Sequence, residues 1–193
     1  MTDRIKNLTT KELCGSWSKL KTVSYEYLTP GGEWEQQKRE LYDRGNGAAI
    51  ILFNRDQNTV ILTRQLRIAT HVNGNDGGMM IEACAGLLDK DSPETAIIRE
   101  TEEETGYKIT DLEKLFTAYT SPGSVTEILH FFAAEYSGDQ KVHEGGGVKH
   151  EQENIEVLEI GFKKAMQMIE DGTIRDAKTI MLLQYLALHK KLG

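Results

Sequence analysis

Three glutamates near the middle of the chain have the spacing of a metal-binding cluster. Successive residues of an α-helix are turned by about 100°, so positions three or four apart share a face. Glu100, Glu103 and Glu104 would therefore project together, whereas Glu102 would point nearly the opposite way. Crowded carboxylates repel one another unless a positive charge lies among them. Because carboxylate oxygens suit hard cations, the cluster indicates a site for Mg²⁺ or Mn²⁺.

The residues around the glutamates decide between this cation site and a solvated acidic helix face, which is the commoner origin of such a run. Ser92 and Pro93 predict the start of a helix, as N-cap and first helical residue. Gly106 fits a left-handed C-cap. Upstream, the apolar residues 79–85 predict one strand that ends at Gly86. A strand, a glycine loop and a capped helix together favour the cation site.

Hydrophobic periodicity predicts the elements that must hold this helix. Residues 1–43 are expected to form a separate β-rich portion, and residues 44–193 the main domain. Strands are predicted over 22–28, 34–42, 46–53, 59–64, 112–120, 128–136 and 155–160, and helices over 162–170 and 178–191. Residues 73–78 predict a flexible loop. Residues 141–154 predict a second loop, in which three successive glycines would serve as a hinge or, less strongly indicated, as a phosphate cradle.

Composition narrows the class of protein. The chain has 193 residues, of which 39% are hydrophobic and 27% charged, as expected for one soluble domain with an additional arm. A net charge of −7 argues against a nucleic-acid partner. Cys14 and Cys84 form neither a zinc motif nor a disulfide framework, and Cys84 is expected in the core. No apolar run has membrane length and no signal peptide is evident, so we expect a cytoplasmic protein.

The glutamate helix and its flanks resemble the Nudix box, whose pattern is G-x5-E-x7-R-E-U-x-E-E-x-G-U, with U an aliphatic residue. Arg99, Glu100, Glu103, Glu104 and Gly106 match the pattern in register. The chain is therefore identified as a member of the Nudix hydrolases.

The chain departs from the pattern in three places. The segment between Gly86 and Arg99 is one residue shorter than in the pattern. Asp91 stands where the first glutamate is expected. Thr101 and Tyr107 occupy positions that are usually aliphatic. The loop and the first helical turn can therefore differ from the family, while the turn that carries the metal-binding acids is intact.

The resemblance extends over nearly the whole chain to the GDP-mannose pyrophosphatase branch of the family. The sequence Glu82-Ala83-Cys84-Ala85-Gly86 is similar to the E-x-x-A-G lead-in of enzymes that act on nucleoside diphosphate sugars and ADP-ribose. Further similar segments are 39–40, 44–48, 64–67, 121–123, 126–127 and 174–179. The resemblance implies an α/β fold, a Nudix α/β/α sandwich with a mixed β-sheet and an N-terminal β-rich arm.

The implied activity is Mg²⁺-dependent hydrolysis of the pyrophosphate bond of GDP-mannose, giving GMP and mannose 1-phosphate, with Mn²⁺ as a possible substitute. Hydrolysis of ADP-ribose or another nucleoside diphosphate sugar is an alternative, because the lead-in and the box are shared. A sensor that binds a nucleotide sugar without cleaving it is a third candidate. Such a sensor would be expected to have lost box acids, yet Glu100, Glu103 and Glu104 all remain.

The resemblance also implies which residues hold the metal and activate water. Metal ligands would come from Ala85, Glu100, Glu104 and Glu153, and Arg99 would orient a box carboxylate. The candidate catalytic residues are Glu153, Glu103 and Glu151. Glu153 fits the family's position for the general base best and Glu151 is second, although both could be solvated loop acids.

Substrate contacts are expected from a wider set of residues. The candidates are Trp17, Lys38, Arg39, Glu40, Arg67, Ala85, Gly86, Leu87, Glu104, Glu127, Gln152, Glu153 and Lys178. Arginine suits a phosphate or a guanine edge because its guanidinium donates two parallel hydrogen bonds. Trp17 is the candidate stacking surface for the base, although alone it would more often fill a core or a dimer interface. In this branch the N-terminal portion crosses to the partner subunit, so the resemblance implies a homodimer.

Overall fold

The computed structural model describes residues 3–148 and 152–193. Contacts between residues divide the chain into two compact units. The first comprises residues 1–46 and 119–128, and the second comprises residues 47–118 and 129–193. The first unit is therefore built from two segments that are distant in the sequence.

A three-stranded antiparallel sheet forms the first unit, with strands β1 (Ile5–Gly15), β2 (Lys19–Leu28) and β3 (Trp34–Asp43) in that order. The two predicted strands correspond to β2 and β3. β1 was not predicted, and every residue of it is exposed. A strand without a buried face needs no alternation of apolar and polar residues, so periodicity cannot reveal it.

The second segment of this unit is held to β3 by backbone hydrogen bonds. The Tyr42 amide donates to the Ser124 carbonyl at 2.7 Å, and the Thr126 amide donates to the Tyr42 carbonyl at 3.1 Å. Residues 119–128 thus extend the first unit, although in sequence they lie between two strands of the second.

A mixed sheet forms the second unit. Its strands are β4 (Gly47–Asn54), β5 (Thr59–Leu66), β6 (Met79–Glu82), β7 (Cys84–Leu87), β8 (Glu113–Tyr119), β9 (Ile128–Glu135) and β10 (Glu156–Gly161). The order is β10-β5-β4-β9-β8, with β6 paired to β5 and β7 paired to β4. β4 and β9 run parallel, whereas β4 and β5 are antiparallel, as predicted for this pair.

Helices cover both faces of this sheet. They are α2 (Pro93–Thr105) on one face and α3 (Phe162–Glu170) and α4 (Ala177–Leu188) on the other, whereas α1 (Ile68–Val72) is a short helix without buried residues. Along β4, Ile50 and Leu52 face a core that includes Ile97 of α2, whereas Ile51 and Phe53 face the core that contains α3 and α4. Successive side chains of a strand point to opposite faces, so an apolar β4 buried on both sides requires this layering. The predicted α/β/α sandwich with a mixed sheet is confirmed.

The strand predicted over 79–85 is wrong in one respect, because it is two strands. β6 pairs with β5 and β7 pairs with β4, with Ala83 between them. The Ala83 amide donates instead to the Thr179 hydroxyl oxygen at 2.7 Å. The chain can therefore change neighbours here without leaving a buried amide unpaired. The short helix α1 was not predicted either.

The helix ends follow the predicted signals closely. Ser92 caps α2 by accepting a hydrogen bond from the Thr95 amide at 3.2 Å, and Gly106 ends it with a φ of 79°. α4 ends at Leu188, three residues earlier than predicted. No helix within the described residues has the length and apolar character needed to cross a membrane. The cytoplasmic location stays a prediction.

Candidate active site

The acidic face of α2 carries a buried carboxylate, Glu104, that forms no salt bridge within the described residues, although the charge of Arg67 lies near enough to lower its pKa slightly. Glu104 is 2% exposed, and its Oε2 atom has no hydrogen-bond partner among the described residues. Burial raises the pKa of Glu104 to about 8, and the charges of Glu100 and Glu153 add to this rise, while the Cys84 thiol opposes it. Burial likewise raises the pKa of Glu100 to about 7. This face is therefore arranged to receive positive charge.

Arg99 organises the more exposed acids of the same face. Its guanidinium contacts Glu100 Oε1 at 3.0 Å and Glu103 Oε2 at 2.9 Å. One planar side chain thus holds two carboxylates, an arrangement that the point charge of lysine cannot reproduce. Glu103, a candidate catalytic residue, is engaged with Arg99, whereas Glu104 is left without such a contact.

The predicted lead-in lies beside this face. Ala85, Gly86 and Leu87 belong to β7, where Gly86 is paired with Ala48 of β4. A Cβ atom at position 86 would overlap the side chain of Glu100. Glycine is required here because it lets the helix carboxylate approach the strand backbone.

The loop acids are only partly described. Glu151 lies outside the described residues. Glu153 accepts a hydrogen bond from the Val148 amide at 3.0 Å, and its charge contributes to the raised pKa of Glu100 and of Glu104. Glu153 is thus brought near the box acids. The neighbouring Gln152 has a left-handed backbone with a φ of 60°.

A second buried carboxylate, Glu82, was not assigned to the site by sequence reasoning. It is 4% exposed, and its two oxygens contact Arg67 Nε at 2.6 Å and Lys178 Nζ at 2.5 Å. Lys178 also contacts Asp176 at 3.0 Å. Arg67 and Lys178 are both predicted substrate residues, and in the structure both contact this one acid. The sequence signal that could have indicated Glu82 is its position as the glutamate of the E-x-x-A-G lead-in.

This acid–base cluster is attached to the start of α4. Asp176 is the N-cap residue and accepts a hydrogen bond from the Thr179 amide at 2.9 Å. The Thr179 hydroxyl oxygen in turn accepts a hydrogen bond from the amide of Ala83, the residue after Glu82. The cluster therefore connects α4 to the point where β6 passes into β7.

The remaining predicted substrate residues lie in the first unit: Trp17, Lys38, Arg39, Glu40 and Glu127. Trp17 is 73% exposed, and the Arg44 guanidinium lies 6.0 Å from its ring centre. Glu127 is buried and contacts Arg44 at 3.6 Å. Lys38, Arg39 and Glu40 are exposed residues of β3. Arg39 donates to the Lys38 carbonyl at 2.8 Å.

The donor set of the second unit fits a hard cation. Within residues 3–148 and 152–193, no three His, Cys, Asp or Glu side chains form a ready-made metal cluster. Mg²⁺ does not need one, because it is commonly bound by one or two carboxylates together with substrate phosphates and water. The unpaired oxygen of Glu104 and the neighbouring Glu100 supply such carboxylates.

Comparison with protein families agrees with this geometry. The NUDIX domain matches residues 43–182, and the GDP-mannose pyrophosphatase NudK N-terminal domain matches residues 4–42. The two matches together span almost the whole chain, including both the box helix α2 and the three-stranded sheet.

Individual relatives match over nearly their full length. A GDP-mannose pyrophosphatase from Yersinia enterocolitica is 54% identical over 98% of both chains. A GDP-mannose pyrophosphatase from Yersinia pestis is 53% identical over 98% of this chain and 94% of its own. One from Escherichia coli is 52% identical over 96% of each chain. With its box helix and these relatives, the chain belongs to the Nudix hydrolase family.

Proposed function

We propose that this Nudix pyrophosphohydrolase cleaves the pyrophosphate bond of GDP-mannose to give GMP and mannose 1-phosphate. The observation that carries the proposal is the 52–54% identity to GDP-mannose pyrophosphatases over at least 94% of each chain. The site supports it, because a pyrophosphate requires charge neutralisation and the box helix offers a buried acid, Glu104, with an oxygen that has no hydrogen-bond partner within the described residues.

Mg²⁺ is the proposed cofactor, with Mn²⁺ as a substitute. Nudix hydrolases generally use divalent metal ions. Glu100, Glu104, the Ala85 carbonyl and Glu153 would hold the ion in this chain. When bound, it would neutralise charge on the phosphate oxygens and lower the pKa of a coordinated water.

The chain's own residues would complete the reaction. Glu153, or the undescribed Glu151, would accept the proton of the attacking water as general base. Glu103 remains a candidate for the same task. Arg99 would keep the box acids in place through its contacts with Glu100 and Glu103. The proposed substrate contacts of the second unit are Arg67 and Lys178. Gly86, Leu87 and Gln152 are proposed to contact the substrate as well.

The first unit is proposed to recognise the nucleotide in a homodimer. The exposed ring of Trp17 can stack on a base, and Lys38, Arg39, Glu40 and Glu127 offer hydrogen-bonding groups. By resemblance, residues 1–43 would contribute these groups to the site of the partner subunit, and residues 44–193 would form the hydrolase domain.

Subunit complementation tests this arrangement. Glu104→Gln and Arg39→Ala, each expected to be inactive alone, would be mixed and allowed to exchange subunits. If each site draws on both subunits, activity should return to about a quarter of the wild-type value, since half of the dimers are mixed and each has one intact site. A mixture that stays inactive while mixed dimers are present would contradict the shared site.

Product analysis tests the activity itself. Purified protein and Mg²⁺ would be incubated separately with GDP-mannose and ADP-ribose, and the phosphate products would be identified. GMP and mannose 1-phosphate at the higher kcat/KM would support the proposal. AMP and ribose 5-phosphate at the higher kcat/KM would instead identify the neighbouring activity that shares the E-x-x-A-G lead-in. Saturable binding with no product from either substrate would favour a sensor.

A further inference from the structure

The late loop of the second unit caps the C-terminal end of the box helix α2. The last carbonyl groups of a helix have no partner within the helix and need one elsewhere. The first of these carbonyl groups, that of Glu102, accepts a hydrogen bond from the Gly106 amide at 2.9 Å. The amides of Gly147 and Gly146 donate to the Glu103 and Glu104 carbonyls at 3.1 and 2.9 Å. Two box acids are thus joined through their own backbone to a segment about forty residues later.

The backbone of this segment requires glycine. Gly145, Gly146 and Gly147 have φ angles of 71°, 107° and 77°, a region that residues with a Cβ atom rarely adopt. A Cβ at position 145 would also overlap the Glu104 carbonyl oxygen, and one at position 147 would lie 2.6 Å from Glu153 Oε2. At position 146 the nearest atom would be 3.7 Å away. The three positions therefore share backbone strain but differ in steric contact.

The same segment determines where Glu153 lies. Directly after Gly147, the Val148 amide donates to Glu153 Oε2 at 3.0 Å. The Ile155 amide donates to the Gly146 carbonyl at 3.2 Å, so the chain beyond Glu153 returns to the glycine segment. Glu153 is therefore bonded to the residue that follows Gly147, and the chain after it is bonded to Gly146; these two glycines are in turn bonded to the end of α2.

The three glycine amides are already used. Gly145 donates to His143 Nδ1 at 3.0 Å, and Gly146 and Gly147 donate to α2. Amides that are bonded within the protein are not available to cradle a phosphate. Their contacts also fix the segment to the helix, which differs from the hinge expected from the sequence.

We propose that Gly145–Gly147 is a positioning segment, which fixes the Glu153 carboxylate relative to Glu100 and Glu104 by capping α2. The inference rests on the proposed function, since it assumes that Glu153 acts in hydrolysis. The segment does not contact substrate; it acts through the position of Glu153.

Alanine substitutions within the segment test the proposal. Gly145→Ala and Gly147→Ala should lower kcat by about a hundredfold with little change in KM, since a displacement near 1 Å of a catalytic group has that effect. Gly146→Ala, which adds strain without overlap, should have a smaller effect. Gly172→Ala is the outside control, because Gly172 has a φ of 78° and no atom near its Cβ position. It should keep the wild-type kcat.

A double-mutant cycle separates positioning from general damage to the fold. In a Glu153→Gln background, Gly145→Ala should cost almost nothing more, because the residue through which it acts has been disabled. Additive losses, or a Gly145→Ala variant with wild-type kcat, would overturn the proposal.

Hydrogen exchange provides a readout that needs no substrate. The Gly146 and Gly147 amides of the wild-type protein should exchange slowly, together with the last turn of α2, and Gly145→Ala should accelerate both. Rapid exchange of these amides in the wild-type protein would contradict the cap. Slow exchange in a protein that cleaves neither GDP-mannose nor ADP-ribose would instead refute the proposed function and leave the cap established.

Discussion

Glu82 and Glu104 are both buried carboxylates of the second unit, but their surroundings differ. Glu82 has a cation at each oxygen, Arg67 at 2.6 Å and Lys178 at 2.5 Å. Glu104 has an oxygen without a hydrogen-bond partner in the described part of the chain; the acids Glu100 and Glu153 raise its pKa, and the cation that opposes them there, Arg67, makes its salt bridge with Glu82 instead. Burial is nearly equal, so it does not account for the difference.

The comparison separates two uses of a buried acid. A carboxylate that is paired inside the protein holds structure together, and its loss leaves cations without a partner. A carboxylate that is buried without a partner is costly to the folded protein unless a bound cation or a proton neutralises it. We therefore propose that Glu82 supports the site and that Glu104 binds the metal, and the two proposed roles predict different responses to mutation.

The largest expected effect is on turnover in Glu104→Gln. Loss of several kcal/mol of charge stabilisation should lower kcat by about a thousandfold or more. The folded state should survive, because a neutral amide has the shape of the protonated carboxyl group that the metal-free protein holds below about pH 8. Steady-state kinetics with GDP-mannose and a urea melt without metal check both parts. Wild-type turnover would show that Glu104 is not a metal ligand.

Glu82→Ala should respond in the opposite way. Removing one partner of a buried ion pair typically costs about 3–5 kcal/mol of unfolding free energy. Urea denaturation of the metal-free protein would measure this cost. Glu82→Gln, which keeps the shape and one acceptor oxygen, should lose less. If Glu82→Ala were as stable as the wild type, the paired carboxylate would not be a structural support.

The stability of the metal-free protein should fall as pH rises. Burial raises the pKa of Glu104 to about 8 and that of Glu100 to about 7, from an ordinary value of 4.5. Between pH 4.5 and 8 the native state keeps protons that the unfolded chain has lost, so unfolding becomes easier with increasing pH. Water penetration and relaxation moderate the effect, and we expect a Tm decrease of roughly 2–8 °C.

Thermal melts in a chelator from pH 5 to pH 8.5 would measure this decrease. Mg²⁺ should reverse it at the alkaline end, because the cation replaces the protons. Glu104→Gln should flatten the profile. Stability that increases over this interval would contradict the proposed protonation of the box acids.

The smallest effect is expected for Arg99→Lys, which tests how Glu100 and Glu103 are held together. Lysine cannot hold Glu100 and Glu103 together as the guanidinium does, so kcat/KM should fall about tenfold. Lys114→Ala is a matched control, since it removes an exposed 3.0 Å contact with Glu94 on the same helix and should change stability by less than about 1 kcal/mol. Equal kcat/KM in Arg99→Lys and Lys114→Ala would contradict the proposed role of Arg99 in holding Glu100 and Glu103.

The sequence predicted features that depend on neighbouring residues. The boundaries of α2 follow from Ser92, Pro93 and Gly106, and the continuous apolar run of β4 agrees with its burial on both faces. The paired spacing of the box acids likewise predicted a shared helix face. These signals are local, so one sequence is sufficient to detect them.

Features that depend on distant residues were not predicted. The contact of Glu82 with Lys178 joins residues 96 positions apart, and no local sequence pattern predicts such a contact. The break at Ala83 depends on which strands β6 and β7 pair with, and the use of the three glycine amides depends on the end of α2. β1 escaped detection because neither of its faces is buried.

We propose above all that the box helix is incomplete without a divalent cation and that Glu104 is the acid that requires it. Titration with Mn²⁺, followed by electron paramagnetic resonance, tests this claim without any substrate. The wild-type protein and Glu82→Gln should bind Mn²⁺, whereas Glu104→Gln should bind at least about tenfold more weakly. Equal Mn²⁺ affinity in the wild-type protein and Glu104→Gln would contradict the account.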